Sequence, residues 1–473
     1  MPILQHPKEI KTILLPPRHA QLAAETDVLV VGGGPAGLGA ALGAAACNVD
    51  VTLVERYGFL GGNATVALVM PLMSFYTPKK KEAKHHEPIT LLPTDQGLGG
   101  KAVIAGVLKT FLDRLIQSGG AISPSSETGY TVPFDPEIFK ATALEMIDEA
   151  GVHFLFHSFA SDAIIKNNSL QGVIFETKSG PIVIHAKMII DCTGDGDIAA
   201  RSGVPFEIGR AEDHLTQPMT LMFRMGEFNR AGFEDYVKEH PEQWRGVHGL
   251  WDLINKATLK GELKLLREDI LFFATPHEKE VSLNCTRVNR VLGTDVWDLT
   301  YAEYQSRQQM KQIISFLKRY IPGFEAAYAI QSGSQIGVRE TRRIQGEYQL
   351  TAEDILSAKK FPDRIARSTY PIDIHNPKGS GTILKRLPPG EYYDIPLRCL
   401  LPQKIDNLLV AGRCISGTHE AHSSYRVMPV SMATGQAAGI CAALSVKTQR
   451  IPRRIPIEEV QQELNRQGAN LNP

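Results

Sequence analysis

Gly32-Gly33-Gly34-Pro35-Ala36-Gly37 contains G-x-G-x-x-G, and Glu55 follows 18 residues after Gly37. Each residue type in this pattern has a task. Gly32 permits a tight turn, Gly34 lets the backbone approach a diphosphate because it has no Cβ, and Gly37 lets a helix pack close to a sheet. A helix opening at Pro35 and Ala36 would turn unpaired N–H groups and a partial positive charge toward the phosphates. The Glu55 carboxylate would accept from two ribose hydroxyls. The chemistry expected of this group is the holding of a dinucleotide.

Further motifs surround it. Arg56 and then Gly61-Gly62-Asn63 come directly after Glu55, and this second glycine pair suggests backbone passing the phosphates or the reactive ring. Asp191-Cys192-Thr193-Gly194-Asp195-Gly196-Asp197 follows an apolar run, as does Gly412-Arg413 after Val410-Ala411. Polar groups suited to the reaction itself fall in three segments: Arg339, Glu340, Arg342 and Arg343; His419, Glu420, His422 and Arg426; Asn284 and Arg287. Arg339 would clamp a substrate carboxylate in bidentate fashion, or else form a structural ion pair with Glu340. His419 and His422 would each move a proton or sit as satisfied histidines. Their H-x-x-H spacing lacks the H-E-x-x-H pattern, so no metal is expected. Cys192 and Cys414 flank motifs and read as packing residues, with no base identifiable to activate them.

Periodicity supplies the elements that must position these groups. Asp27–Val31 and Asp50–Val54 read as buried strands on either side of a small-residue helix from Ala36 to Ala46, which makes a parallel βαβ unit. Lys101–Gln117 has helical spacing, and a second helix starts at Asp135-Pro136 with Asp135 as N-cap. Val152–Phe156, Ala163–Lys166, Gly172–Thr177, Pro181–Ile184 and Met188–Ile190 read as strands, as do Thr220–Met225 and Lys279–Val288. Ala302–Tyr320 reads as a helix stopped by Pro322-Gly323, Leu408–Gly412 as the last sheet strand and Pro429–Leu444 as the last helix. Pro71–Gly100 reads as a long loop, with Lys79-Lys80-Lys81 as its solvated charge run.

The βαβ unit alone does not choose between FAD and NAD. Across V-V-G-G-G-P-A-G at 30–37, E-R-Y-G-F-L-G-G-N-A-T at 55–65, D-C-T-G-D-G-D at 191–197, V-R-E-T-R-R-I-Q-G at 338–346 and the block 408–440, the chain resembles the FAD-dependent oxidoreductases. These have a glutathione-reductase-type FAD fold and are distant kin of fumarate reductase flavoproteins. The resemblance implies FAD as cofactor, with Glu55 on the adenosine ribose and Gly34, Pro35 and Ala36 along the pyrophosphate. It also implies Ala160 at the adenine edge, and Thr193 and Gly194 near the adenosine half. Gly412-Arg413 stands where many relatives carry Gly-Asp, so Arg413 departs from the pattern and would meet phosphate with its guanidinium instead. The final helix, entered through Met428 and carrying Gln436, would aim its N-terminus at the flavin N1–C2=O edge. No second G-x-G-x-x-G follows a strand; Gly97-Leu98-Gly99-Gly100 is the nearest candidate and lacks the strand and the later acid. A separate NAD(P)H domain is therefore not expected.

The expected fold is α/β. A Rossmann-type FAD-binding domain with a parallel sheet and β-meander would be built from 26–75, 135–203 and 397–450. A flap and helix insertion would occupy 76–134, and a discontinuous α+β substrate or cap domain 204–396. The 51 basic and 51 acidic side chains cancel, which gives no electrostatic case for nucleic acid. No run of about 18 apolar residues appears, so no membrane span is expected, and Met1–Glu25 lacks a signal-peptide core. Six scattered cysteines without C-x-x-C fit a reducing compartment, so a cytoplasmic location is expected. The partner expected is a small-molecule substrate; a homo-oligomer stays open. Three functional readings follow: hydride transfer between a small organic molecule and flavin N5, an oxygen-using oxidase or monooxygenase, or an electron-transfer subunit of a larger complex.

Overall fold

The computed structural model describes residues 3, 4, 6, 7, 9, 11–78, 91, 92, 99–125 and 128–472. The Lys79-Lys80-Lys81 run, Gly97 and Leu98 lie outside the described residues.

The βαβ unit forms as its pattern predicts. β1 (Gln21–Val31) leads into α1 (Pro35–Ala45) and then β2 (Val51–Val54). Val28, Leu29 and Val30 are fully buried, and since successive side chains point to opposite faces, both faces of this part of the sheet are covered. α2 (Pro136–Glu149) starts as expected: the Asp135 carboxylate accepts from the Glu137 and Ile138 amides, and Pro136 fills the first turn. β3 (His153–Leu155), β4 (Phe159–Lys166), β5 (Ser169–Thr177) and β6 (Gly180–Asp191) follow. The sheet runs β3-β2-β1-β6-β5-β4, with Leu408–Val410 added beside β6. Its β1, β2, β3, β6 and 408–410 contacts are parallel, and β4, β5 and β6 form an antiparallel meander. Two expected strands, at 181–184 and 188–190, are one strand here. The link His185-Ala186-Lys187, with two polar side chains, reads as a break, but His185 and Ala186 pair along the long β1 at Glu25 and Thr26. A short helix, α3 (Asp197–Arg201), follows β6.

The second sheet is antiparallel and has its own aromatic core. β7 (Phe223–Gly226), β8 (Trp244–Arg245), β9 (His248–Gly249), β10 (Ile270–Ala274) and β11 (Val281–Leu283) precede the long α4 (Val296–Tyr320) and β12 (Tyr328–Ser332). The order is β8-β9-β10-β11-β7-β12. Phe228, Phe233, Phe272 and Phe324 pack together in the core beside it. α4 begins six residues before the expected Ala302, because Asp295 caps it through the Trp297 and Asp298 amides.

The chain then returns to the first core, so the expected cap domain of 204–396 extends too far. Strands Arg364–Ser368 and Tyr393–Pro396 pair with each other, and Ile365, Ala366, Tyr393 and Ile395 are buried in the same cluster as β1. β13 (Ile372–His375) and β14 (Thr382–Lys385) form a hairpin between them. The last long helix, α5 (Met428–Thr448), lies across α1. Its length and hydropathy would suffice to cross a membrane, but 83% of its most apolar window is buried inside the protein, as befits a core helix. The expected helix Lys101–Gln117 starts only at Val107, since Gly99–Ala102 pairs as a strand with Tyr76–Pro78.

Candidate cofactor and substrate site

The glycine turn sits where β1 and β6 end side by side. Gly32 has φ +103°, and a Cβ on it would lie 2.5 Å from Cys192 O, so glycine is required on both counts. Gly34 is the N-cap of α1, and no side chain caps that end. The first-turn amides therefore open into a groove lined by Gly32, Gly34, Pro35 and Ala36. Gly37 lies underneath, where a Cβ would be 1.8 Å from Gly32 O. Gly61 donates from its amide to Gly33 O at 2.8 Å, which brings Gly62 and Asn63 to the opposite wall.

Glu55 ends β2 with its carboxylate buried beside this turn. Oε2 accepts from Gly33 N at 2.6 Å and Oε1 from Tyr57 N at 3.0 Å. Burial raises its carboxyl above the usual range, against the pull of those two amides and Arg56. Each oxygen keeps a lone pair for a ribose hydroxyl. Arg56 lines the groove and donates to Gln335 Oε1 at 3.0 Å. Ala160, Thr193, Gly194, Gly412 and Met428 complete the wall. Asp191 organises Thr193: one carboxylate oxygen takes the Thr193 amide and hydroxyl, and the other takes the Ala199 amide of α3. An uncapped helix start, a hydrogen-bond-competent carboxylate and glycine walls are the donor and acceptor set that a diphosphate-linked ribose needs.

A larger cavity, of about 880 Å³, adjoins the groove. The two share Asn63, Val338, Arg413, Arg426 and Met428. The uncapped N-terminus of α5 thus stands at their junction. Asn284, Arg287 and Arg339 all line the larger cavity. Arg339 Nη1 donates to Pro218 O and Thr220 Oγ1, at 2.6 and 2.5 Å. Burial, then Arg426 and Arg287 nearby, pushes its guanidinium down to about 9.

Arg339 does not pair with Glu340. That buried carboxylate instead takes Arg343 and His419, with Oε1 at 2.9 Å from His419 Nδ1. His419 is accordingly 5% exposed and lines neither cavity. It is the first residue of the helix His419–Tyr425, and its ring meets the Glu340 carboxylate. Gln436 is likewise displaced from its expected cofactor role. It lies two turns inside α5, where Oε1 accepts from Val107 N and Nε2 donates to Gln467. Arg413 is held by the protein too: it pairs with Asp195 and donates to Gly194 O and Val338 O. It also lines both cavities, so its guanidinium stands at their junction.

Tyr370, Asp373 and His375 enter the larger cavity without having been singled out in the sequence. The Tyr370 hydroxyl donates to Asp373 Oδ2 at 2.9 Å, and His375 Nε2 lies 3.7 Å from the same oxygen. Arg287 Nη2 donates to His375 Nδ1 at 3.1 Å. Burial and then Arg339, Arg426, Arg267 and Arg287 hold the His375 ring well below its ordinary range, so it is neutral at pH 7. The signal was the alternation Ile372-Asp373-Ile374-His375, which sends the isoleucines to the core and the polar pair to the other face.

Fold and groove together define a Rossmann-type dinucleotide-binding flavoprotein. Residues 27–464 match the family described as FAD dependent oxidoreductase, and the chain belongs to it. It is an enzyme, and FAD is its cofactor. A thiamine thiazole synthase of Methanococcus vannielii is 28% identical over 185 residues, 36% of this chain and 56% of that protein. The chain spans a little over half the length of the curated relatives it matches. Among solved structures, a geranylgeranyl bacteriochlorophyll reductase-like protein from Thermoplasma acidophilum is 13% identical, with 93% of this chain and 83% of that chain covered and a TM-score of 0.44. The flavin-dependent brominase Bmp2 is 12% identical, with the same coverage and a TM-score of 0.45.

Proposed function

We propose that this enzyme moves a hydride between a small polar organic molecule and FAD. The observation that carries the reading is the junction of the two cavities at Asn63, Val338, Arg413, Arg426 and Met428. A dinucleotide laid along the groove from Glu55 would end beside a chamber large enough for a metabolite. Bound FAD supplies a two-electron carrier that accepts or gives hydride at N5.

The chain's own residues do the rest. The uncapped N-terminus of α5 at Met428 would favour the negative charge of a reduced flavin held beside it. Asp373 receives or returns the proton that accompanies the hydride, at a carboxylate oxygen aligned by the Tyr370 hydroxyl. His375 stays uncharged and keeps its Nε2 proton directed toward that carboxylate, because Nδ1 is occupied by Arg287. Met70, Val338 and Met428 give the chamber apolar walls that limit water near the reacting atoms.

The test is a visible spectrum of the purified, FAD-loaded protein, then an anaerobic screen of small organic molecules for bleaching of the flavin band. Bleaching by one class of compound, followed by slow reoxidation in air, supports the reading. Fast reoxidation with stoichiometric peroxide would assign an oxidase instead.

A further inference from the structure

Two guanidinium groups in the larger cavity have only neutral partners. Arg339 uses Nη1 on Pro218 O and Thr220 Oγ1, while its Nε and Nη2 form no hydrogen bond among the described residues. That free edge is the side-on fork whose two parallel N–H groups match the two oxygens of a carboxylate. Arg287 donates to the Gly379 and Gly381 carbonyls and to His375 Nδ1.

Of the other lining arginines, Arg245 and Arg386 are exposed to solvent, and the remaining three are matched. Arg413 pairs with Asp195, Arg267 with Asp269, and Arg426 lies 3.7 Å from Asp373. Glu268, the remaining lining carboxylate, is exposed to solvent. The chamber therefore holds more fixed positive than negative charge. Cations out of bulk water with no counter-charge cost free energy that an arriving anion recovers. The same cost appears in Arg339 itself, whose guanidinium burial and the neighbouring Arg426 and Arg287 push down to about 9. Asn284 Oδ1, also in the lining, is buried without a hydrogen bond among the described residues and so calls for a ligand donor.

We propose that the substrate is a small carboxylic acid whose carboxylate is held by the Nε–Nη2 edge of Arg339, with Arg287 as the second positive charge. This rests on the reading above that the larger cavity is the substrate chamber. A planar carboxylate fits the fork; a phosphate presents the same charge with tetrahedral oxygens, and the experiment separates the two.

The FAD-loaded protein is titrated with lactate, malonate and succinate, with the matching amides, and with inorganic phosphate. Binding is read by calorimetry and by perturbation of the flavin visible band. The expected result is that at least one acid binds tenfold or more tightly than its amide and than phosphate. Arg339→Gln should weaken that acid roughly ten- to hundred-fold with FAD still bound, and Arg339→Lys should recover part of the loss. Arg287→Gln gives an independent reading should Arg339→Gln lose its fold. Equal binding of acids and amides, preference for phosphate, no binding of any acid, or wild-type affinity in both glutamine variants would each overturn the proposal. Failure of the hydride-transfer reading is distinguishable: a flavin band that no compound bleaches removes that reading, while calorimetry on the same protein still reports whether the arginines hold a carboxylate.

Discussion

Glu55 illustrates how a single side chain is fixed for its task. Both its oxygens already accept backbone amides, from Gly33 and Tyr57, so the carboxylate is pinned before any sugar arrives. Glu55→Gln keeps the shape, removes the charge and turns an amide N–H toward a donor. Losing a charge-assisted bond of about 1.5–3 kcal/mol should weaken FAD binding roughly ten- to hundred-fold in a flavin fluorescence titration. Asp191 is the second residue with a stated consequence. Burial raises its carboxyl to about 6, although the Ala199 amide and Thr193 pull the other way. A carboxyl raised on folding binds its proton more tightly in the native state, so its contribution to stability falls as pH rises from about 4 to about 6. The stability difference between wild type and Asp191→Asn should therefore shift against wild type by about 3 kcal/mol at most across that window. Unfolding midpoints of the two proteins, measured in parallel at each pH, check it.

At the scale of elements, the contact between α1 and α5 controls the cofactor groove. Cβ atoms placed on Gly39 and Gly435 would lie 2.1 Å from Met432 O and 2.0 Å from Ala36 O, so each helix presses its backbone onto the other. Ala36 lines the groove, and Met428 opens α5 at the junction of the cavities. Gly435→Ala must push the helices apart or shift Ala36, at a cost of about 1–3 kcal/mol for overpacking. The expected outcome is a lower unfolding midpoint together with a reduced FAD content after purification. A variant with normal stability and full FAD would refute this account of the contact.

For the whole molecule, the question is what holds the second sheet against the first lobe. Arg224 on β7 pairs with Glu280 and reaches the Asp135 carboxylate that caps α2, and His277 joins the same oxygen at 2.7 Å. Burial alone would raise Asp135, but His277, the Ile138 and Glu137 amides and Arg224 outweigh it and hold the carboxyl below its usual range. Removing Arg224 leaves two buried carboxylates facing each other. Arg224→Ala should destabilise the protein by about 3–5 kcal/mol at pH 7 in urea unfolding. Because a depressed carboxyl loses its stabilising effect as pH falls through the native value, the deficit should shrink in acid.

The local order of the residues determined the βαβ unit, the Asp135 cap, the glycine turn and the place of Glu55 at the end of β2 beside it. Each depends on neighbours within one strand, turn or helix, so period, capping and glycine placement were enough to read them. The tertiary structure alone decided which polar groups meet. His419 faces Glu340 across 79 residues and Arg413 faces Asp195 across 218, while Arg287 reaches His375 across 88. Such pairings leave no periodic trace, because a buried charge takes whatever counter-charge the packing delivers. The same physics explains why Gln436, polar in a helix of small residues, went to the Val107 amide and left the cofactor groove to backbone and glycine.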